Sequence, residues 1–392
     1  MADQLLRALL QNMGNDAGLP GRQDAGSGRV GAELALLSAL VGAKKHAAKA
    51  AKTDWPVHRA IKRDADDEAV MTLLRERPDR IAERNRKGRT PLYMATRTRR
   101  RELVLRMLAE GADPLLPAED GYTAVHLASL GRESAMVRDL VDAVIARQQI
   151  DGGGGGGGGS SSNVRAILSA RVSTSNGYTL AHIAASKGDV STLRLIDRLW
   201  PGGEPFAVPS SDQGLTPLHV AARWSTEATA FLLSVVPRDA VDRHAPGMGT
   251  ALHMASQGGS KTRVALLLGA GADPNAEPPA DGRFPLVLMA LANKLQAVCT
   301  LLEHGARVDA RSVDGFTALH LTALNDNQAV AHALLRAGAD TTLRTPSVPT
   351  PHDAKDTTDE ERGRTAAELA ALRGHHRVVR LISHYAAKRA TS

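Results

Sequence analysis

Apolar positions along the chain recur as one short phrase, of which GLTPLHVAARW at 214–224 is an example. Apolar residues follow its Thr at helical spacing, and small residues such as Ala221 and Ala222 complete it. A second apolar stretch with bulky pairs such as Leu267-Leu268 comes next and ends in a Gly-Ala-Asp triplet at 271–273. A Thr at the N-cap, Pro at the first helical position and Gly after the last are helix boundary signals. The pattern predicts pairs of short helices.

The phrase repeats at a nearly constant spacing. Its copies begin at Trp55, Thr90, Thr123, Thr179, Thr216, Thr250, Phe284, Thr317 and Thr365. The intervals between them are 35, 33, 56, 37, 34, 34, 33 and 48 residues. A period of this length, interrupted by two longer intervals, is typical of a stacked repeat array that carries insertions.

Most copies place a histidine at the fourth position of the phrase. These residues are His58, His126, His182, His219, His253 and His320. With Thr at the N-cap, that position is N3, where a Glu or Gln can bond back to the N-cap backbone. The last copy supplies that variant as Thr365 with Glu368. The pattern therefore favours a structural capping role for the histidines over proton transfer in catalysis.

The phrase T-P-L-H-x-A-A, followed by Gly, V-x-x-L-L and G-A-D, resembles the ankyrin repeat family. The resemblance covers roughly residues 54–385, and residues 250–275 match it closely. It implies an all-α solenoid of about nine helix–loop–helix repeats with short β-turn fingers. It also implies a protein-binding module whose partners meet the finger tips and the exposed ends of the first helices.

Breaks in the period predict the organisation of the chain. Residues 151–171 carry a run of glycines and serines, which predicts a flexible insertion because such a run holds neither helix nor strand. No GK[ST] ending follows the glycines, which disfavours a phosphate-binding loop. The predicted segments are a partly helical extension at 1–53 (a cap or a targeting signal), repeats one to three at 54–150, the insertion at 151–171, repeats four to eight at 172–344, an acidic and Pro-rich loop at 345–361, and a final repeat with its tail at 362–392.

Composition narrows the class of protein. Of the 392 residues, 43% are hydrophobic but only 3% aromatic, which suits thin, closely packed helices. The single cysteine, Cys299, excludes a disulfide framework within the chain, and no apolar run reaches the roughly 18 residues needed to cross a bilayer. We expect a monomer inside the cell, in the cytoplasm or the nucleus. A net charge of +7 favours acidic partners.

The sequence gives little indication of a catalytic or metal-binding site. Nucleophile elbows, kinase signatures, Walker motifs and HExxH are absent from the sequence. Two clusters are candidate cation sites: the acidic residues Asp64, Asp66, Asp67 and Glu68, and the histidines His375, His376 and His384. The acidic residues also suit the start of a helix, where they complement its dipole. We therefore predict a non-enzymatic protein without cofactor or metal.

The resemblance assigns the candidate protein-binding residues. The finger slot, just before each Thr, holds Arg89, Tyr122, Tyr178, Leu215 and Phe316, and aromatic residues there are good interface anchors. The end of the first helix holds Arg97, Leu130, Lys187, Arg223 and Trp224. The sequence predicts a shared concave surface in which Tyr122, Tyr178, Trp224 and Phe316 anchor a protein partner.

Repeat two is unusually basic. Its candidate patch comprises Arg84, Arg86, Lys87, Arg99, Arg100 and Arg101. Arg99 and Arg100 stand where the family carries Gly-His, so we expect an altered turn as well as a charged one. The patch favours a solvated face or the steering of a partner's acidic segment. The alternative function is binding of nucleic acid or an anionic membrane through this repeat.

Overall fold

The computed structural model describes residues 55–151, 177–276, 282–346 and 363–390. The chain divides into two units, Met1–Pro56 and Val57–Ser392, and the repeats lie in the second. The predicted extension at 1–53 lies outside the described residues. So do residues 152–171 of the predicted insertion and 347–361 of the predicted acidic loop.

Helices come in pairs that correspond to the copies of the phrase. The first helices are α1 (Pro56–Lys62), α3 (Pro91–Arg97), α5 (Ala124–Leu130), α7 (Leu180–Lys187), α10 (Pro217–Trp224), α12 (Ala251–Gln257), α14 (Pro285–Leu291), α16 (Ala318–Leu324) and α18 (Ala366–Leu372). The second helices are α2 (Asp67–Glu76), α4 (Arg101–Ala109), α6 (Ser134–Asp151), α8 (Val190–Leu199), α11 (Thr226–Val235), α13 (Lys261–Gly269), α15 (Leu295–Glu303), α17 (Gln328–Arg336) and α19 (His376–Ala390). A short helix α9 (Glu204–Ala207) and 3₁₀ turns at Pro78–Ala82 and Arg238–Ala240 lie between pairs.

Neighbouring pairs pack in chain order. From α3 onward each first helix contacts the next first helix, and from α2 onward each second helix contacts the next second helix. The order continues across residues 152–176, because α5 packs against α7 and α6 packs against α8. The helices on the two sides of this segment therefore share one continuous stack.

Small residues let the first helices lie close together. In α10, every residue from Pro217 to Ala222 is buried. The second helices instead bury one face: in α13, Val264, Leu267 and Leu268 are buried while Lys261 and Thr262 are exposed. The resulting core runs from Val57 to Ile382 as one cluster, as expected when each repeat buries its apolar face only against its neighbours.

Short hairpin turns form the fingers between the pairs. The Ser312 amide donates to the Phe316 carbonyl at 2.9 Å, and the Ser210 amide donates to the Leu215 carbonyl at 2.7 Å. Within the described ranges, β-structure is limited to isolated bridges such as Ala245 with Gly249. The prediction of an all-α solenoid with short β-turn fingers is confirmed.

The turn inside repeat two keeps the backbone of its neighbours. Arg99 adopts a left-handed conformation with φ 60°, and so does Arg132 in repeat three. Gly188 holds the matching place in repeat four with φ 68°. The expectation of an altered turn at Arg99 is therefore wrong, because packing of the two helices imposes the left-handed residue even where the side chain disfavours it.

Changing Arg132 to Gly is expected to raise the free energy of unfolding by about 1 kcal/mol, because glycine adopts φ 60° without a Cβ clash. Arg132 is exposed, so little packing is lost. Urea unfolding of both proteins measures the change. Arg132→Ala is the matched control, because it removes the same charge but keeps the Cβ, and an equal gain there would assign the effect to charge instead.

Candidate protein-binding surface

Thr–His pairs fix the start of most first helices. The Thr123, Thr179, Thr216, Thr250 and Thr317 backbones each donate to the Nδ1 atom of the histidine three residues later. Thr365 forms the same capping box with Glu368, whose carboxylate accepts from the Thr365 amide at 2.8 Å. The predicted capping role is confirmed for these five histidines. It is wrong for His58, whose Nδ1 has no partner among the described residues and whose Nε2 lies 2.7 Å from the Arg89 carbonyl, because Trp55 there replaces the capping Thr.

The other ring nitrogen of several histidines joins one repeat to the next. His182 Nε2 lies 2.8 Å from the Leu215 carbonyl, and His219 Nε2 lies 3.2 Å from the Gly249 carbonyl. Because Nδ1 accepts from the Thr amide, the proton is on Nε2, which donates to the neighbouring finger. Both ring nitrogens of the neutral imidazole are therefore occupied by the backbone.

Burial keeps these imidazoles neutral. His219, His253 and His320 are each at most 1% exposed. Desolvation by burial lowers the pKa of each from its ordinary value of 6.5 to about 4. At neutral pH all three cap their helices, His219 and His320 also bond to a carbonyl of the next repeat, and none offers an accessible base for catalysis.

The two finger tyrosines stand beside capping histidines. The Tyr178 ring stacks on the His182 ring with centroids 5.1 Å apart, and Tyr122 meets His126 edge to face at 6.3 Å. Both tyrosines are half-buried. Burial raises the pKa of Tyr178, Asp212 adds to that rise, and the nearby Arg223 guanidinium opposes it. Each tyrosine ring therefore packs against a histidine on one side and is partly exposed to solvent on the other.

Leu215 and Phe316 differ from the other finger residues. Leu215 is only 3% exposed and Phe316 only 6%. Phe316 packs against the His320 ring, with centroids 6.1 Å apart. The expectations that Leu215 is an exposed contact residue and that Phe316 is an exposed anchor are wrong, because both side chains are buried in the stack.

The ends of the first helices form a row, because α3, α5, α7 and α10 pack side by side. Arg97, Lys187 and Trp224 are exposed in this row and Leu130 is half-buried. Trp224 is 63% exposed, more than any other large apolar side chain among the described residues. The Arg223 guanidinium lies 5.2 Å from the centre of the Trp224 ring and donates to Gln257 Oε1 at 2.7 Å. Gln257 was not singled out by sequence, although it is the last residue of α12.

The basic residues of repeat two fall into two groups at opposite ends of α3. Arg84, Arg86 and Lys87 are exposed in the finger that precedes it. Arg89, in the same finger, is half-buried beside the Tyr93 ring, 5.3 Å from its centre. Arg99, Arg100 and Arg101 follow the other end of the helix. The structure does not bring the predicted basic patch together on one face.

Carboxylates from neighbouring repeats form ion pairs with Arg99, Arg100 and Arg101. Arg100 binds Asp67 of repeat one, with its Nε donating to Oδ1 at 2.9 Å, and also donates to the Ala65 carbonyl. Arg101 binds Asp139 of repeat three at 2.6 Å, and Arg99 lies 3.4 Å from Glu133. These arginines link three repeats through ion pairs, which the sequence analysis did not anticipate.

The two candidate cation clusters have other bonds. The Asp66 carboxylate caps α2, and Glu68 binds Arg75 and Arg106 at 2.9 and 2.8 Å. His375 Nδ1 lies 2.9 Å from the Ala323 carbonyl. In the part of the chain that the structure describes, no group of three or more His, Cys, Asp or Glu side chains is arranged as a metal site. None of the helices in that part is long and apolar enough to span a membrane.

Comparison with known proteins agrees with this architecture. A family model for ankyrin repeats, in three copies, matches residues 57–151 and 252–345. The B-cell lymphoma 3 protein homolog of Mus musculus is 35% identical over 231 residues, covering 58% of this chain and 46% of that protein. The nuclear factor NF-kappa-B p105 subunit of Gallus gallus is 36% identical over 128 residues, covering 31% and 13%. The E3 ubiquitin-protein ligase KEG of Arabidopsis thaliana is 29% identical over 178 residues, covering 43% and 11%.

The chain belongs to the ankyrin repeat proteins. The repeats and these relatives support a role in protein–protein interaction. The chain spans less than half the length of each relative named above. The count of nine repeats stays a prediction, because the family model matches only the two ranges given.

Proposed function

We propose that the protein is a non-catalytic scaffold or adaptor that binds a protein partner on the concave face of its ankyrin stack. The observation that carries the proposal is Trp224, a large aromatic side chain left 63% exposed in the row of helix ends. Exposed Trp held in place by a neighbouring cation is typical of interface hot spots. Tyr122 and Tyr178 are secondary anchors in this proposal.

Basic side chains along the same row favour a partner segment that carries acidic residues. Arg97 and Lys187 are exposed at the ends of α3 and α7, and Arg223 lies beside Trp224. Charges of this kind at the rim of an interface mainly raise the association rate. An intracellular monomer, in the cytoplasm or the nucleus, suits this role.

Two other functions have less support. Binding of nucleic acid or an anionic membrane through repeat two would need Arg99, Arg100 and Arg101 free, and each of them meets a carboxylate of a neighbouring repeat. An enzymatic role would need a site beyond the buried, backbone-bonded histidines. The ligase named among the relatives matches over 11% of its length, so its activity does not extend to this chain.

Changing Trp224 and Tyr178 to Ala is expected to weaken partner binding at least about 30-fold, equivalent to 2 kcal/mol or more, because a hot-spot aromatic contributes that much. Proteins captured from lysate by the full chain are identified, purified and titrated against each variant by calorimetry. Leu105→Ala is the matched control, since Leu105 is 37% exposed on α4 and away from the row. Equal affinity of the folded double variant and the control would refute the anchor role.

A further inference from the structure

The last helix of the described chain carries an unusual charge. α19 (His376–Ala390) contains Arg377, Arg380, Lys388 and Arg389 and no Asp or Glu. The sequence contains no acidic residue anywhere in 369–392. Among the described second helices, α13 and α17 also lack carboxylates, but they carry two and one Lys or Arg residues against four in α19. A local positive potential therefore forms at this end of the repeat array.

The charges of α19 lie along one side of the helix. At 3.6 residues per turn, five charged or imidazole side chains and the small Ala387 fall within an arc of about 120° and span about 18 Å. The five polar side chains are His376, Arg377, Arg380, His384 and Lys388, here named the α19 stripe, and all five are exposed. Val378 and Ile382 on the opposite side are buried. The stripe is therefore the solvent-exposed face of a helix whose opposite face packs against the core of the stack.

The two arginines of the stripe differ from Arg99, Arg100 and Arg101 of repeat two, which are bound to carboxylates. Among the described residues, neither Arg377 nor Arg380 forms an ion pair, and Arg380 has only a long bond of 3.4 Å to the His376 carbonyl. Arg389 lies on another side of α19 and donates to the carbonyls of Gly338 and Ala339. Binding an anion at Arg377 and Arg380 therefore breaks no ion pair within the described fold.

The chemistry of the stripe favours one kind of anion. It contains no aromatic side chain, and the apolar side chain within its arc is only the methyl group of Ala387, whereas protein hot spots and membrane insertion need larger apolar contact. Single strands need aromatic rings for stacking, and the Tyr385 hydroxyl beside the stripe is bonded to His332 at 3.2 Å. Binding to the phosphates of a nucleic-acid duplex, by contrast, requires only a row of cations and no apolar contact.

We propose that the α19 stripe binds the phosphate backbone of duplex DNA without reading its sequence. Arg377, Arg380 and Lys388 each approach a phosphate oxygen, and His376 and His384 extend the row as hydrogen-bond donors. This surface lies on the second helix of the last repeat. It is separate from the row of first-helix ends around Trp224, so a protein partner and DNA can be bound together.

The test titrates the full chain against a fluorescein-labelled 20-base-pair duplex of random sequence at 50 mM salt. We expect a Kd of about 1–100 μM and a loss of about 20-fold on raising the salt to 150 mM, as displacement of counterions from three phosphates requires. Arg377→Glu with Arg380→Glu is expected to weaken binding at least about 10-fold. Arg377→Lys with Arg380→Lys keeps the charge and should keep binding within about threefold.

The matched control is Arg194→Glu with Arg198→Glu, which changes the net charge equally at exposed positions of α8, another second helix. It should bind DNA within about twofold of the unchanged protein. Equal loss in both charge-reversed variants would show an effect of net charge alone and overturn the proposal. Absence of binding at 50 mM salt, or preference for a single strand or for vesicles with one third phosphatidylserine, would overturn it too. Lys388→Glu is the second variant if the pair at 377 and 380 fails to fold, and unchanged binding there overturns the proposal.

Discussion

Lowering the pH from 7.5 to 5 is expected to lower the free energy of unfolding by about 6 kcal/mol. His219, His253 and His320 each have a pKa of about 4 in the folded chain and about 6.5 when unfolded. A folded pKa below the unfolded one means that the unfolded chain binds more protons. Stability is therefore complete above pH 6.5 and falls as the pH drops from 6.5 towards 4. At pH 5, which is 1.5 units below the unfolded pKa, each histidine contributes about 2 kcal/mol of the loss.

Urea unfolding at the two pH values measures this loss. Most carboxyl groups titrate near pH 4, so the change in stability between pH 7.5 and pH 5 comes mainly from the histidines. His320→Gln is the informative variant, because Gln at N3 can complete a capping box with Thr317 but does not titrate. It should lose only about 4 kcal/mol over the same interval, since two histidines remain. Equal stability of the unchanged protein at pH 7.5 and pH 5 would show that the imidazoles are not held neutral by the fold.

Changing Arg100 to Ala is expected to lower the free energy of unfolding by about 3 kcal/mol. The Arg100 side chain is 14% exposed and its partner Asp67 is 26% exposed, so the change leaves a largely buried carboxylate without its cation. It also removes the donor to the Ala65 carbonyl. Because Asp67 and Ala65 belong to repeat one, the loss should appear first as separation of repeat one from repeat two.

Arg106→Ala is the matched control for Arg100→Ala. It breaks a pair of the same chemistry with Glu68, also between repeats two and one, but Arg106 is 42% and Glu68 56% exposed, and pairs at the surface contribute about 1 kcal/mol or less. Urea unfolding, with hydrogen exchange of α1 and α2 as the local measurement, compares the two variants. Equal losses would mean that burial does not decide the strength of these pairs. The comparison also cautions against replacing Arg99–Arg101 together in a binding assay, since such a protein would lose binding by losing its fold.

The parts of the structure predicted correctly from sequence are local. Thr216 and His219 are three residues apart, so one turn of helix decides their bond and the sequence is sufficient to predict it. The period of the phrase likewise predicted which helices stack where the spacing is regular, but it left open whether α5 and α7 pack together across residues 152–176. Both depend on spacing along the chain, which a sequence displays directly.

The features that were not predicted from the sequence depend on contacts with the neighbouring repeat. Leu215 and Phe316 occupy the same slot as Tyr122 and Tyr178, and only the packing of the adjacent fingers decides that they are buried. The ion pair of Arg100 with Asp67 spans 33 residues, which is the repeat period. A search for opposite charges one period apart could have found it. The exposure of Trp224 and the alignment of the α19 stripe required the folded chain.

Contacts across residues 152–176 have a consequence for how such a chain can change in evolution. Because α5 meets α7 and α6 meets α8, the register of the array is set by side chains and not by the length of the segment that joins them. Doubling the length of a joining segment costs only about 0.6 kcal/mol of loop closure. This position can therefore accept a foreign domain while every helix keeps its neighbours.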